Sequence, residues 1–347
     1  MNPAPRTNPV VVIACVVVII AAMKAATVIV VPFLLAVFIA TIAASPVFWL
    51  YKHRVPLVVA VTLVIAAIIV VLITFGVFVG SNVTQFTENL PQYQERLSTM
   101  TRQLLASLEN RGVDVPTQEI MKSFNPGTVM SLAGKTLQGF GGFISNTVLI
   151  VLTVVFILLE ALSFPGKLRA AMGDSEQHLS YFRHVIENIR RYMGMKTVVS
   201  IFTGALVAIP LAILGLDFWL LWGVVAFLFN YIPNIGSIIA AIPAVLLALV
   251  QLSPGYAVVV AIIYVCVNTF MGNIIEPRYM GKGLGLSTLI VFLSLVFWGW
   301  VLGPVGMLLS VPLTMTVKMA LEANPDTRWI AVLLGPGSPG DPPPPRR

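Results

Sequence analysis

Charge is what this sequence has least of. Asp, Glu, Lys and Arg together make up 10% of its 347 residues while 58% are hydrophobic, against about 25% charged residues in an ordinary soluble domain. So little charge excludes a soluble globular chain. Apolar runs recur along almost the whole length, which also excludes a soluble domain carried on one anchor. Cysteine is nearly missing: Cys15 and Cys266 both fall in apolar runs, where they are expected as small buried hydrophobes, so neither a disulfide framework nor a cysteine metal site is available. Histidine is scarce too, and His53, His178 and His184 show no zinc-ligand spacing. Gly281-Lys282-Gly283 lacks the upstream glycine and downstream Ser or Thr of a phosphate-binding loop. No pair of intramembrane aspartates is present. The expectation is a protein that is not an enzyme, with no cofactor and no metal. The formal charge of +7 is no sign of a nucleic-acid partner, because Lys and Arg gather in cytoplasmic loops of membrane proteins.

What is there reads as an all-α integral membrane protein with about eight membrane segments, two of them re-entrant helical hairpins, and an extramembrane helical segment. Three spans open the chain, near 10–31, 32–50 and 57–80, punctuated by Pro32 and by Ser45-Pro46; residues 1–80 form one domain of this reading. Residues 81–139 turn polar. Within them Phe86, Leu90, Tyr93, Leu97, Met100, Leu104 and Leu108 recur at spacings of three and four, the stripe of an amphipathic helix that needs a partner surface. Asn125-Pro126-Gly127-Thr128 signals a turn. Residues 140–196 hold a fourth span, about 140–162, and a basic connection whose Leu179, Phe182, Ile186, Ile189 and Met193 suggest an amphipathic helix on the cytoplasmic headgroups, starting near Asp174 and Gln177. The segment 321–347 ends in PGSPGDPPPPRR and is expected as a disordered cytoplasmic tail.

The region 197–320 is the predicted transport core. After a span at 197–216, the apolar block 218–250 would be about 50 Å long as one helix, too long for a hydrocarbon core of ~30 Å. Its middle reads FNYIPNIG, residues 229–236. Broken at Pro233 it becomes two arms of about 22 Å, and such a hairpin is tolerated at membrane depth only where protein or water covers its backbone. The block 287–318 is interrupted likewise at GWVLGPVG, residues 299–306. Gly/Pro-interrupted apolar segments are the sequence pointer to a transporter's substrate site. Treating both blocks as hairpins puts the basic stretches 52–54, 164–196 and 278–282 on one side, the cytoplasm, together with both termini; two full crossings in each block mostly cancel and leave the pattern open.

Polar side chains at membrane depth are then the candidate site. Asn230, Asn234 and Ser237 lie at the first tip, Asn268 and Asn273 on or just after the next span. Uncharged amides and a hydroxyl suit a small neutral polyol or sugar-like solute, or else cap the broken helix ends. Glu276, Pro277 and Arg278 form a compact acid and base group, a gate or an ion site, or else a local salt bridge that fixes the loop. Lys24 in the first span is expected to snorkel or pair.

FNYIPNIGSIIAAIPA, GNIIEPRYMGKGLGLSTLIVFLSLVFWGWVLGPVGMLLSVPLT, LPQY and PGK resemble the autoinducer-2 exporter (AI-2E) family over nearly the entire chain. The resemblance implies a multi-pass protein of the bacterial inner membrane that exports the quorum-sensing signal autoinducer-2, or a similar small polar solute, as a homo-oligomer, a pentamer, by an elevator-type movement. In the form expected here, the two hairpins and the span before the second shift together against the first spans. The family motif places Pro233, Asn234, Gly236 and Ser237 at the first tip, Glu276, Pro277 and Arg278 in the loop, and Gly303, Pro304 and Gly306 at the second tip. Other members are associated with sodium or proton exchange, so the alternative is a sodium or other cation/proton antiporter using Glu276.

Overall fold

The computed structural model describes residues 9–110, 147–172, 176–233, 235–280 and 285–336, and among these there is no strand. In chain order the helices are α1 (Pro9–Ala25), α2 (Thr27–Lys52), α3 (Leu57–Glu109), α4 (Thr147–Met172), α5 (Glu176–Ile213), α6 (Trp219–Phe229), α7 (Ile235–Gln251), α8 (Pro254–Thr269), a π-helical turn (Phe270–Ile275), α9 (Glu276–Met280), α10 (Thr288–Ala323) and α11 (Arg328–Leu333). Among the described residues five stretches are long and apolar enough to cross a membrane: Thr27–Lys52, Leu57–Ser107, Ile186–Ile213, Pro254–Tyr279 and Thr288–Ala323. Length alone overstates the last of these, because α10 is broken inside at Gly303.

Several boundaries differ from the sequence expectation. The first break falls at Ala26, and Pro32 and Pro46 lie inside α2; an apolar helix tolerates interior proline when neighbouring groups take over the freed carbonyls. The third span and the amphipathic stripe are one helix of 53 residues, about 80 Å long at 1.5 Å per residue. The polar residues at the junction do not interrupt it, since Ser81 Oγ and Asn82 Nδ2 both donate to the Phe78 carbonyl one turn back. In the same way α5 runs unbroken from the basic connection into the fifth span. Cys15 and Cys266 are exposed on apolar helices and not in the core. The stretch expected as tail contains α11, whose RWIAVL is apolar enough to pack; Ala331 is fully buried and the Leu334 carbonyl accepts from Ser287 N–H at 3.0 Å. The turn signal at 125–128, the start of the fourth span, Asp174 and the prolines after 336 lie outside the described residues.

The chain divides into two compact units: Met1–Val61, Leu149–Gly194 and Met280–Arg347 in the first, Thr62–Val148 and Met195–Tyr279 in the second. In the first unit, Tyr192, Met193, Leu286, Val311 and Met315 form a buried cluster against which Phe38, Ile42 and Ile189 pack. Ile189 and Met193, at the end of the apolar stripe of the basic connection, are therefore packed against protein, while Ile186 is exposed. In α10, Trp298 Nε1 donates to Thr314 Oγ1 at 3.0 Å. A straight helix would hold residues 16 apart at about 24 Å, so the chain doubles back at Gly303.

In the second unit the stripe on α3 finds its partner at the base of the α6–α7 pair. Phe86 is 0% exposed and meets Trp222 and Phe218 edge-on, with ring centroids at 5.6 and 5.9 Å. The base is also pinned by Gln251 at the end of α7, whose Oε1 accepts from Asp217 N–H at 2.9 Å and whose Nε2 donates to the Gly215 carbonyl at 3.1 Å. Those contacts bring residues before α6 beside the end of α7, so α6 and α7 run antiparallel. Gly204 of α5 and Gly223 of α6 allow a close crossing, since a Cβ added at Gly223 would stand 2.6 Å from that of Ala208. The small residues at 204 and 208 follow the small-xxx-small spacing for such contacts.

Candidate functional site

The tip joining α6 to α7 is built by local chemistry. Pro233 has no N–H with which to continue α6; the chain turns through Tyr231 and Ile232, and α7 starts at Ile235. Gly236 in its first turn passes so close to the end of α6 that an added Cβ would lie 1.9 Å from the Phe229 carbonyl oxygen.

One face of α5 holds this tip in place. Asn230 Nδ2 donates to Ser200 Oγ at 2.9 Å, and the Tyr231 hydroxyl donates to Thr197 Oγ1 at 2.8 Å. One residue before Thr197, Lys196 Nζ donates to Glu276 Oε1 at 2.6 Å, closing an ion pair between α5 and α9. The ammonium side chain is 4% exposed and the carboxylate side chain 21%. Positions 196, 197 and 200 share a face because helix neighbours lie three and four residues apart. Among the described residues that are buried, Lys196 is the charged one; the other polar members are Ser and Thr.

Glu276 thus pairs across 80 residues of sequence with Lys196, not locally with Arg278, whose side chain is exposed. Lys196 was missed by sequence reasoning, being one cation among several in a basic connection, and no local signal marks it. On α8, Asn268 is half-buried. It lies 14 residues after Pro254, as Ser237 lies 14 before Gln251, so the two stand level on packed antiparallel neighbours. One turn earlier on that helix, Tyr264 has a buried hydroxyl with no hydrogen-bond partner among the described residues. Asn273 sits exposed in the π-helical turn, an element found disproportionately at functional sites and not foreseen from the sequence. Asn234 lies outside the described residues.

The first unit carries the other break. Gly303 has φ 69° and ψ −152°, a conformation that only glycine adopts freely. Pro304 is exposed and Gly306 buried, with an added Cβ at Gly306 falling 2.0 Å from the Trp298 carbonyl oxygen. Beside this tip Lys24 Nζ lies 3.7 Å from the centre of the Trp300 ring, a cation–π contact that meets the expectation of a paired lysine. Gly303→Ala is expected to cost about 1–3 kcal/mol from backbone strain alone, because nothing lies within 4 Å of the new methyl group. Thermal unfolding in detergent checks this; an unchanged midpoint would show that the turn does not need glycine.

Comparison with known proteins gives a consistent result. The family model described as AI-2E family transporter matches residues 13–326. The chain is 42% identical over 305 residues to the AI-2 transport protein TqsA of Escherichia coli strain K12, covering 88% of this chain and 89% of that one. It is 41% identical over 312 residues to a putative transport protein of Haemophilus influenzae, covering 88% and 90%, and 35% identical over 310 residues to the putative transport protein YhhT of E. coli K12, covering 89% of each.

Proposed function

Because the chain belongs to the AI-2E transporter family, we propose that it exports autoinducer-2, or a similar small polar solute, from the cytoplasm across the bacterial inner membrane. The observation that carries the reading is the 42% identity to an AI-2 transport protein across 88% of this chain, and the amide-rich break in an otherwise apolar region agrees with it. In this reading the solute meets Asn230, Pro233, Asn234, Gly236, Ser237, Asn268 and Asn273. Glu276 and Arg278 serve gating or ion coupling, and Gly303, Pro304 and Gly306 shape a second tip. With 11 and 17 residues, α6 and α7 are about 16 and 26 Å long, shorter than the ~30 Å hydrocarbon core, which favours a re-entrant hairpin. Broken at Gly303, α10 gives arms of about 22 and 30 Å, the first shorter than that core and the second about equal to it. Eight membrane segments, a cytoplasmic amino terminus and a homopentamer complete the proposal.

The test is efflux of labelled autoinducer-2 from vesicles holding wild type or Asn234→Ala, with and without a proton gradient. Efflux above empty vesicles that falls about tenfold in the variant, the equivalent of one hydrogen bond at the upper end of the usual range, is the expected result. If autoinducer-2 stays inside while internal pH responds to sodium, the chain is a cation/proton antiporter instead. The elevator-type movement requires that a cysteine placed at Ser237 change its accessibility between transport conditions; one reactivity under every condition would sink it.

A further inference from the structure

We infer that the Lys196–Glu276 ion pair opens in every transport cycle, with a small monovalent cation, a proton or sodium, replacing the Lys196 ammonium at the Glu276 carboxylate. The inference rests on the proposed transport activity, and it gives that activity a coupling element.

In a chain with 10% charged residues, a lysine 3% exposed has lost nearly all its hydration, and an ion pair does not recover that loss better than two packed apolar side chains would. Such a pair is weak as a device for stability, whereas an ionisable group within a membrane segment is by default a candidate for function. Its position points the same way. Lys196, Thr197 and Ser200 stand on one face of α5, and through them that face holds Glu276, Tyr231 and Asn230. The neutral bonds at Tyr231 and Asn230 can exchange partners with a hydroxylated solute at little cost. The ion pair cannot simply separate, because each charge would be left alone at low dielectric.

A cation arriving at Glu276 removes half of that penalty, and solute oxygens accepting from the freed ammonium remove the rest. When the cation is a proton it adds to a carboxylate oxygen, Lys196 keeps its own three protons, and the proton leaves again when the pair re-forms. The titratable groups flanking the pair on its own elements are Arg278 and Tyr279 on the helix of Glu276, both exposed, Arg191 and the buried Tyr192 on α5, and Tyr231 at the tip, held by Thr197. None of them supplies a second carboxylate to take over the role.

Wild-type protein in vesicles tests this directly. A carbodiimide attacks protonated carboxyl groups in apolar surroundings, and mass spectrometry of the peptide around Glu276 reads the product. Labelling of Glu276 should be about tenfold faster during efflux driven by an imposed acid gradient than at rest, as expected for a population shift toward the open pair. Sodium should suppress it if sodium is the replacing cation, and leave it unchanged if the proton is. In parallel, the charge-balanced variant Lys196→Met/Glu276→Gln should lose the stimulation by the gradient. Should autoinducer-2 leave in a gradient-dependent way while Glu276 stays unlabelled, or should the double variant keep the full stimulation, the inference falls and the transport reading stands. If no autoinducer-2 moves but Glu276 labelling follows sodium/proton exchange, the ion pair stands as the coupling element and the choice of solute is overturned.

Discussion

Gly236→Ala and Gly306→Ala should each remove most of the folded protein and with it all measurable flux. The two tips share a device: a glycine in the first turn of the returning arm passes across the last carbonyl groups of the arm before it. A methyl group at 236 would sit 1.9 Å from the Phe229 oxygen and 2.8 Å from its carbonyl carbon, and one at 306 would sit 2.0 and 2.7 Å from the corresponding atoms of Trp298. These neighbours are backbone, so no rotamer change relieves the clash. The arms must move apart by about an ångström in interiors packed as densely as organic crystals, which costs at least ~3 kcal/mol. Gly194→Ala is the control, because nothing stands within 4 Å of its new methyl group and alanine within a helix is better than glycine by about 0.5–1 kcal/mol. Unfolding midpoints and yields from matched membranes give the comparison. A Gly236→Ala protein as stable as the Gly194→Ala protein would mean that the tip is not packed as described.

The second large effect concerns the ion pair, and its asymmetry is the informative part. Glu276→Gln leaves the ammonium of Lys196 unpaired where its side chain is 4% exposed, for which the loss is expected to be about 3–5 kcal/mol. Lys196→Met leaves the carboxylate unpaired where it is less deeply buried, at 21% exposed, so its loss should be smaller, roughly 1–2 kcal/mol. Combining the two removes both charges and should return stability to near that of the wild type, since a neutral replacement of a buried pair is often no worse than the pair. A double-mutant cycle on the unfolding midpoint measures this. Additive losses, with the double variant the least stable of the four proteins, would show that the two groups do not interact.

The two predictions separate what is legible in the sequence from what is not. The glycines belong to FNYIPNIG and GWVLGPVG, where Pro and Gly mark the breaks through their own covalent geometry, so the tips can be located without coordinates. The partner of Glu276 cannot be located in that way: Arg278 is two residues off and Lys196 is 80, and nothing in the local sequence favours the distant one.

Composition, helical periodicity and Pro/Gly punctuation act within a few residues, and they sufficed for the all-helical membrane class, the stripe from Phe86 to Leu97 and the two interrupted segments. Tertiary structure decided the rest. It ran α3 and α5 through their polar junctions, past Gly80 and Pro91 in the one and Gly194 in the other, and it placed the first break at Ala26, which no residue announces. It also laid Lys196, Thr197 and Ser200 against the tip and against Glu276. These outcomes depend on which faces meet, and that is set by the packing energy of the whole chain, to which each position contributes only in company.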